Sequence, residues 1–271
     1  MIARESNITV AVDVTNPGQF FACCGLLELA DRLWPGAEGW FERTRFSVNV
    51  GNLEDVLEYL VRNTPQEVKK LESGLLIKPL LAPLRFSFES GSPNLFTIDA
   101  WVTIAIQRAK AVAVANRPWT FWSGQQTSFQ IWSDLRTALI RQLPGLQTSV
   151  ESLFSHTMPV TGRFGFDPGA AWNALDVGFS PNTQQMPVAS SPATEMLAAI
   201  GIQRFRPLLS DDKKSFVYST WGKPLAPSVA AAAAASLVCI APWSRFRGRV
   251  EDRGSYAALG YSTTVDGGFN G

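Results

Sequence analysis

The sequence is short of the residues from which most active centres are built. Among its 271 residues there is a single histidine, His156, so no site with two histidine ligands can form within the chain. There are three cysteines, Cys23, Cys24 and Cys239, all in apolar helix-like contexts. An odd set without zinc-ligand spacing makes no disulfide framework and reads as small buried hydrophobes in a reducing compartment. There is no G-x-S-x-G elbow and no phosphate-cradling glycine run followed by lysine. The acids Asp13, Asp99, Asp134, Asp167, Asp176 and Asp266 stand singly, whereas a metal nuclease needs them clustered. Asp211-Asp212 runs straight into Lys213-Lys214 and reads as a self-compensating turn. Long apolar runs are missing too: the longest, Val229 to Ile240, falls short of the ~20 residues that span a bilayer. The N-terminus has no secretory pattern. The expectation is a cytoplasmic, non-catalytic protein with no cofactor and no membrane contact.

Strong charge of one sign is also lacking. A net charge of +1 excludes a wholly basic nucleic-acid binder, so any basic surface must be local. Charged residues make up only 17% against 46% hydrophobic, the composition of a globular chain with part of its outer surface covered by partners. The length accommodates one large α+β domain over 1–271, or two halves, 1–150 and 151–271.

The chain is organised around Asp13 to Trp34, DVTNPGQFFACCGLLELADRLW. Ile8, Val10, Val12 and Val14 alternate as a strand. Asn16 then caps a helix whose first residue is Pro17, with Gln19 able to reach back. Phe20, Cys24, Leu27 and Trp34 recur at helical spacing until Pro35-Gly36, and only Glu28, Asp31 and Arg32 read as solvated. A second proline-started helix, Ser191 to Arg206, follows the same recipe: Ser191 as N-cap, Pro192 as first helical residue and Gly201 as the stop. Each such unit lies near the start of half the chain, which leaves two related βα halves open.

Elsewhere the pattern predicts a strand at Phe46 to Val50, an amphipathic helix at Asn52 to Asn63, and edge strands or loops from Leu75 to Phe88, where Pro79 and Pro83 interrupt. A hairpin crosses Ser90 to Pro93, and Asp99 to Ala115 reads as an Ala- and Val-rich helix. A helix is expected over Phe129 to Gln142, strands over Arg163 to Asp167 and around Trp172 to Phe179, a strand through Phe216, Tyr218 and Trp221, and a helix over Pro227 to Ile240.

Two stretches carry groups able to hold nucleic acid. Asn116 to Gln130 offers Arg117, Trp119, Trp122, Gln125, Gln126 and Gln130, a charge with two stacking faces and three amides; an ordinary core-edge loop has the same look. In Trp243 to Arg253 an extended backbone would put Arg245, Arg247 and Arg249 on one face, as a basic stripe or a solvated surface strand.

Three segments in order, VDVTNPGQFFACCGLLELADRLW, RFGFDPGAAWNALDVGFSPN and SPATEMLAAIGIQRFRP, resemble a small protein family encoded with type I-G (formerly I-U) CRISPR systems. The resemblance spans most of the chain. It implies a non-catalytic subunit of the Cascade-type effector complex, with CRISPR RNA, target DNA and other Cascade subunits as partners. It also implies a RAMP-type core, ferredoxin-like and RRM-like, with inserted helices and loops. The residues expected to touch nucleic acid are then Arg245, Arg247 and Arg249 on phosphates, Arg117 and Arg163 from loops, and Trp119, Gln125 and Gln126 on sugar or base. A structural adaptor that touches only protein, and a metal-dependent nuclease, are the alternatives.

Overall fold

The computed structural model describes residues 6–88, 94–122, 126–146, 150–170, 188–253 and 256–265. It is an α+β protein. β1 (Ile8–Ala11) leads into α1 (Pro17–Leu33), then β2 (Gly39–Glu42), β3 (Arg45–Val48), α2 (Leu53–Arg62) and β4 (Gln66–Glu67). β5 (Leu84–Phe88), β6 (Asn94–Ile98), β7 (Val102–Gln107), β8 (Lys110–Ala115), α3 (Ser128–Leu146) and β9 (Met158–Val160) form the middle. β10 (Val188–Ser190), α4 (Pro192–Arg204), β11 (Leu208–Leu209), β12 (Ser215–Ser219), α5 (Pro227–Ala234) and β13 (Arg245–Arg253) follow, with β14 (Tyr256–Leu259) and β15 (Thr263–Thr264) last.

The element order β-α-β-β-α-β therefore occurs twice, from β1 to β4 and from β10 to β13. In the first run the strands make an antiparallel sheet ordered β1-β3-β2, so β3 sits between the two strands that α1 connects. In the second run β12 lies between β11 and β13, while β10 leaves to pair with β9.

Both central helices begin as the caps dictate. Asn16 Oδ1 accepts from the Gln19 N–H at 3.1 Å and Ser191 Oγ accepts from the Thr194 N–H at 3.2 Å, each with a proline at the first helical position. Gln19 reaches past the cap, its Oε1 accepting from the Asp13 N–H at 2.8 Å. Neither helix has a wet face over most of its length: Pro17 to Ala30, apart from Gln19, and Pro192 to Ile202 are buried, the signature of helices enclosed by other elements.

These two helices pack on each other by backbone. A Cβ on Gly25 would fall onto the Leu197 carbonyl oxygen, and one on Gly201 onto that of Phe21. Leu197 stands four residues before Gly201, and Phe21 four before Gly25, so the contact is reciprocal. Gly201 is thus not the helix stop the sequence predicts; α4 runs on to Arg204 because the glycine serves close approach rather than a left-handed cap. The same crossing buries Glu28, which the sequence reads as solvated. It is 2% exposed, and its carboxylate accepts from Arg32 Nη2 at 2.6 Å and from Arg204 Nε at 2.6 Å.

Aromatic rings join the two runs into one core. Phe20 lies 4.4 Å from Tyr218 and 5.5 Å from Phe41 between ring centroids; Phe41 lies 4.8 Å from Trp221, whose indole N–H donates to the Gly39 carbonyl at 2.7 Å. A single hydrophobic cluster extends from Ile8 to Leu259.

Several sequence expectations are corrected. The helix read over Asp99 to Ala115 is the β7–β8 hairpin: Val102, Ile104 and Ile106 alternate with Thr103, Ala105 and Gln107, a strand period, and β-branched residues favour it. Its turn, Arg108 and Ala109, is left-handed without any glycine to announce it. Arg163 to Asp167 is irregular, since its amides bond to a side chain instead of a strand. α5 ends at Ala234, well before Ile240, with Ser236 at φ +59° just beyond. The strand read around Trp172 to Phe179 lies outside the described residues.

Candidate nucleic-acid interface

β13 is built as a two-faced strand. Phe246 and Gly248 turn inward against Tyr218 and Phe216 of β12, with the Phe246 and Tyr218 rings 5.4 Å apart. Residues directly opposite in an antiparallel pair share a face, so Arg245, Arg247 and Arg249 point outward beside Ser219, Val217 and Ser215. Successive arginines are spaced ~6.7 Å along the strand. Arg247 and Arg249 are exposed and belong to no ion pair among the described residues.

Arg245 differs. The segment after α5 folds over its end of the sheet, so Ser219 Oγ meets Ser236 Oγ at 2.7 Å. The guanidinium lies 5.3 Å from the Trp243 ring centroid, Nη2 is 3.9 Å from Cys239 Sγ, and Nε is buried without a hydrogen-bond partner. This half-buried arginine is a cation–π partner first, which leaves two of the three as open cations.

The loop at Asn116 is mostly structural. Trp119 is 4% exposed, its ring 5.6 Å from Phe216 and 6.1 Å from Phe21, beneath the sheet whose outer face carries the arginines. A ring this enclosed has no free face for a base, so the expected base-stacking role is corrected to packing. Trp122 is buried as well, 5.5 Å from Trp101 and from Phe164, with its indole N–H on the Leu80 carbonyl at 3.1 Å. Gln126 spends its amide on the Thr161 carbonyl at 3.0 Å, and Gln130 spends its own on Asp134 at 2.7 Å. Gln125 lies outside the described residues. Arg117 is exposed, just past the foot of the β7–β8 hairpin. Arg163 is half-buried, and its charge favours the ionised form of Glu195. The fold therefore keeps the stripe and Trp119 on opposite sides of one sheet.

Sequence reasoning missed a knot of buried carboxylates at the paired helix N-termini. Glu195 accepts from the Gly165 N–H at 2.9 Å and the Asp167 N–H at 3.0 Å; Asp167 Oδ1 accepts from Asn16 Nδ2 at 2.9 Å and the Gly169 N–H at 3.0 Å. Burial pushes the Glu195 carboxyl above its ordinary range and the neighbouring Asp167 charge adds to this, while the backbone donors and Arg163 pull the other way. The knot clamps Arg163 to Asp167 across both helix starts. An acid in a first helical turn ordinarily reads as a complement to the helix dipole, so only the fold shows what Glu195 holds.

The one histidine also gains a neighbour the sequence did not point to. Ser152 Oγ lies 3.0 Å from His156 Nε2. Among the described residues no acid bonds the other ring nitrogen, as the base of a nucleophilic triad requires. Among the described residues no group of three metal-ligating side chains converges, and no helix is long and apolar enough to cross a membrane. Cys23 and Cys24 are buried, which pushes both thiols up; Cys239 is exposed.

The class these observations define is an α+β protein with small antiparallel sheets, one of whose strands, β13, carries arginines on its outward face. Compared with protein-family models, curated proteins and solved structures, the chain finds no match.

Proposed function

We propose that this protein is a non-catalytic subunit of a type I CRISPR-Cas effector (Cascade) complex, of the I-G (formerly I-U) kind, that holds guide RNA or target DNA by its backbone. The observation that carries the proposal is the outer face of β13, where Arg247 and Arg249 stand exposed at strand spacing over an apolar inner face. Charges held on a strand grip phosphates without reading bases, which is the protein's task where pairing supplies the sequence. The three resembling segments support the same assignment: two of them form the crossing helices, and the described part of the third is the clamped stretch from Arg163. A RAMP-type core belongs to this reading, and the β1-α1-β2-β3-α2 run with its β1-β3-β2 order is compatible with it.

The test is co-purification of the tagged chain from cells that also express the neighbouring CRISPR proteins and a guide array, with nuclease treatment before elution, comparing wild type with R247E/R249E. Recovery of guide RNA and partner subunits with wild type, and loss of nucleic acid from the variant, is the expected result. Its binding should also fall steeply with salt, with the slope shallower by about 1.5–2 in the variant. Recovery of the chain alone overturns the assignment. An adaptor that touches only protein is the second reading, favoured by exposed Leu237 and Val238 beside the Arg245 end of the stripe. Under it both proteins recover the same partners and the same nucleic acid.

A further inference from the structure

No residue of either strand of the β7–β8 hairpin is buried. Among the described residues its two strands pair only with each other, although a lone hairpin is marginal in water. Its faces differ. Val102, Ile104 and Ile106 share one with Ala111, Ala113 and Ala115, and Ile104 and Ile106 are 50% and 73% exposed. Thr103, Ala105, Gln107, Lys110, Val112 and Val114 share the other, with the polar groups towards its tip and foot, and Arg108 sits in the turn. From Ala100 to Ser133 the chain has no carboxylate, while Arg108, Lys110 and Arg117 are cations. Arg108 and Lys110 are exposed and outside every ion pair among the described residues.

We infer that this hairpin is an arm that enters the major groove of duplex DNA, with Arg108 and Lys110 on phosphates and Ile106 against the base edges. The inference rests on the nucleic-acid reading above and adds to it a second contact, to duplex. Charge favours an anionic partner over a second copy, because two such arms would bring cations together. Dimensions favour B-form duplex: six-residue strands give an arm of roughly 20 Å, and a two-stranded ribbon fits a groove ~12 Å wide. The A-form major groove is too narrow to admit it. Apolar side chains at the tip pack on thymine methyls, a use for isoleucines that solvent alone would penalise.

The experiment is fluorescence anisotropy of the full chain with a labelled B-form DNA duplex and, separately, a labelled single-stranded RNA, at about 50 and about 200 mM salt. Wild type is compared with R108E/K110E, with I104S/I106S and with R247E/R249E. The expected result is at least tenfold weaker duplex binding by R108E/K110E, with a salt slope smaller by about two and unchanged RNA binding. I104S/I106S should weaken duplex binding several-fold at an unchanged salt slope. Duplex affinity equal to wild type in R108E/K110E overturns the arm, and if R247E/R249E still abolishes RNA binding, the proposed function stands without it. Absence of binding to either probe by wild type removes both. Loss of partner proteins from R108E/K110E in co-purification, with duplex affinity intact, makes the hairpin a protein-docking arm and likewise overturns the inference.

Discussion

The two proline-started helices, α1 and α4, begin with the same local chemistry and meet at equivalent glycines, yet the surrounding strands use them differently. Around α1 the strands close into the order β1-β3-β2, whereas around α4 the leading strand β10 is given up to β9 and the long strand β13 takes the place beside β12. The lesson is that the helix pair is the invariant part and the sheets are the adjustable part. The freed second sheet presents a nine-residue strand whose outer face carries the arginines.

The hardest test of the comparison is its point of symmetry. Gly25→Ala and Gly201→Ala each drive a methyl into a backbone carbonyl of the other helix, which cannot rotate away, so each should cost about 3 kcal/mol or prevent folding. Urea unfolding of both variants measures this. A well-tolerated alanine at one site only would break the equivalence of the two helices.

Next in size is the ion pair that crosses the helices. Glu28→Gln removes the charge facing Arg32 and Arg204 and should lower stability by ~2 kcal/mol. The loss is moderated because the Arg204 side chain is 41% exposed and regains water. If Arg204→Ala proves as damaging as Glu28→Gln, that moderation is absent.

Glu195→Gln should show itself mainly through pH. The folded chain holds the Glu195 proton to a higher pH than the ordinary 4.5. Between those values the unfolded chain has released a proton that the folded chain retains, so this contribution to stability declines as pH rises through the window and levels off above it. The Gln variant should lose that decline while costing ~1 kcal/mol for a poorer backbone acceptor. An unchanged pH profile would remove Glu195 as its source.

The smallest effects are at the caps. Ser191→Ala should cost about 1 kcal/mol. Asn16→Ala should cost slightly more, because Asn16 also donates to Asp167. Equal losses by thermal denaturation would mean that the Asp167 contact adds nothing, sharpening the likeness of the two helix starts.

Much of the local structure could be read in advance. Asn16-Pro17 and Ser191-Pro192 announce their helices because capping and proline chemistry act within four residues. Asn52 announces α2 for the same reason, with its side chain accepting from the Asp55 N–H at 2.8 Å. The alternation of Arg245, Arg247 and Arg249 gives the two faces of β13 before any fold is known. By contrast, the Ala- and Val-rich hairpin reads as helix because its turn residues, Arg108 and Ala109, send no turn signal.

What the sequence determined by itself, then, was every feature set by neighbours along the chain: helix starts, strand alternation, the scarcity of histidine and the local basic stripe. Only the tertiary structure decided which of these groups are free to act. Trp119 and Trp122 went to the core and Glu28 to a buried ion pair, while Gly201 became a packing contact and Glu195 a clamp on a distant loop. The physical reason is that burial and partner choice depend on groups far away in sequence. A tryptophan in a loop or a glycine in a helix has the same local chemistry whether it meets solvent, a ligand or another backbone.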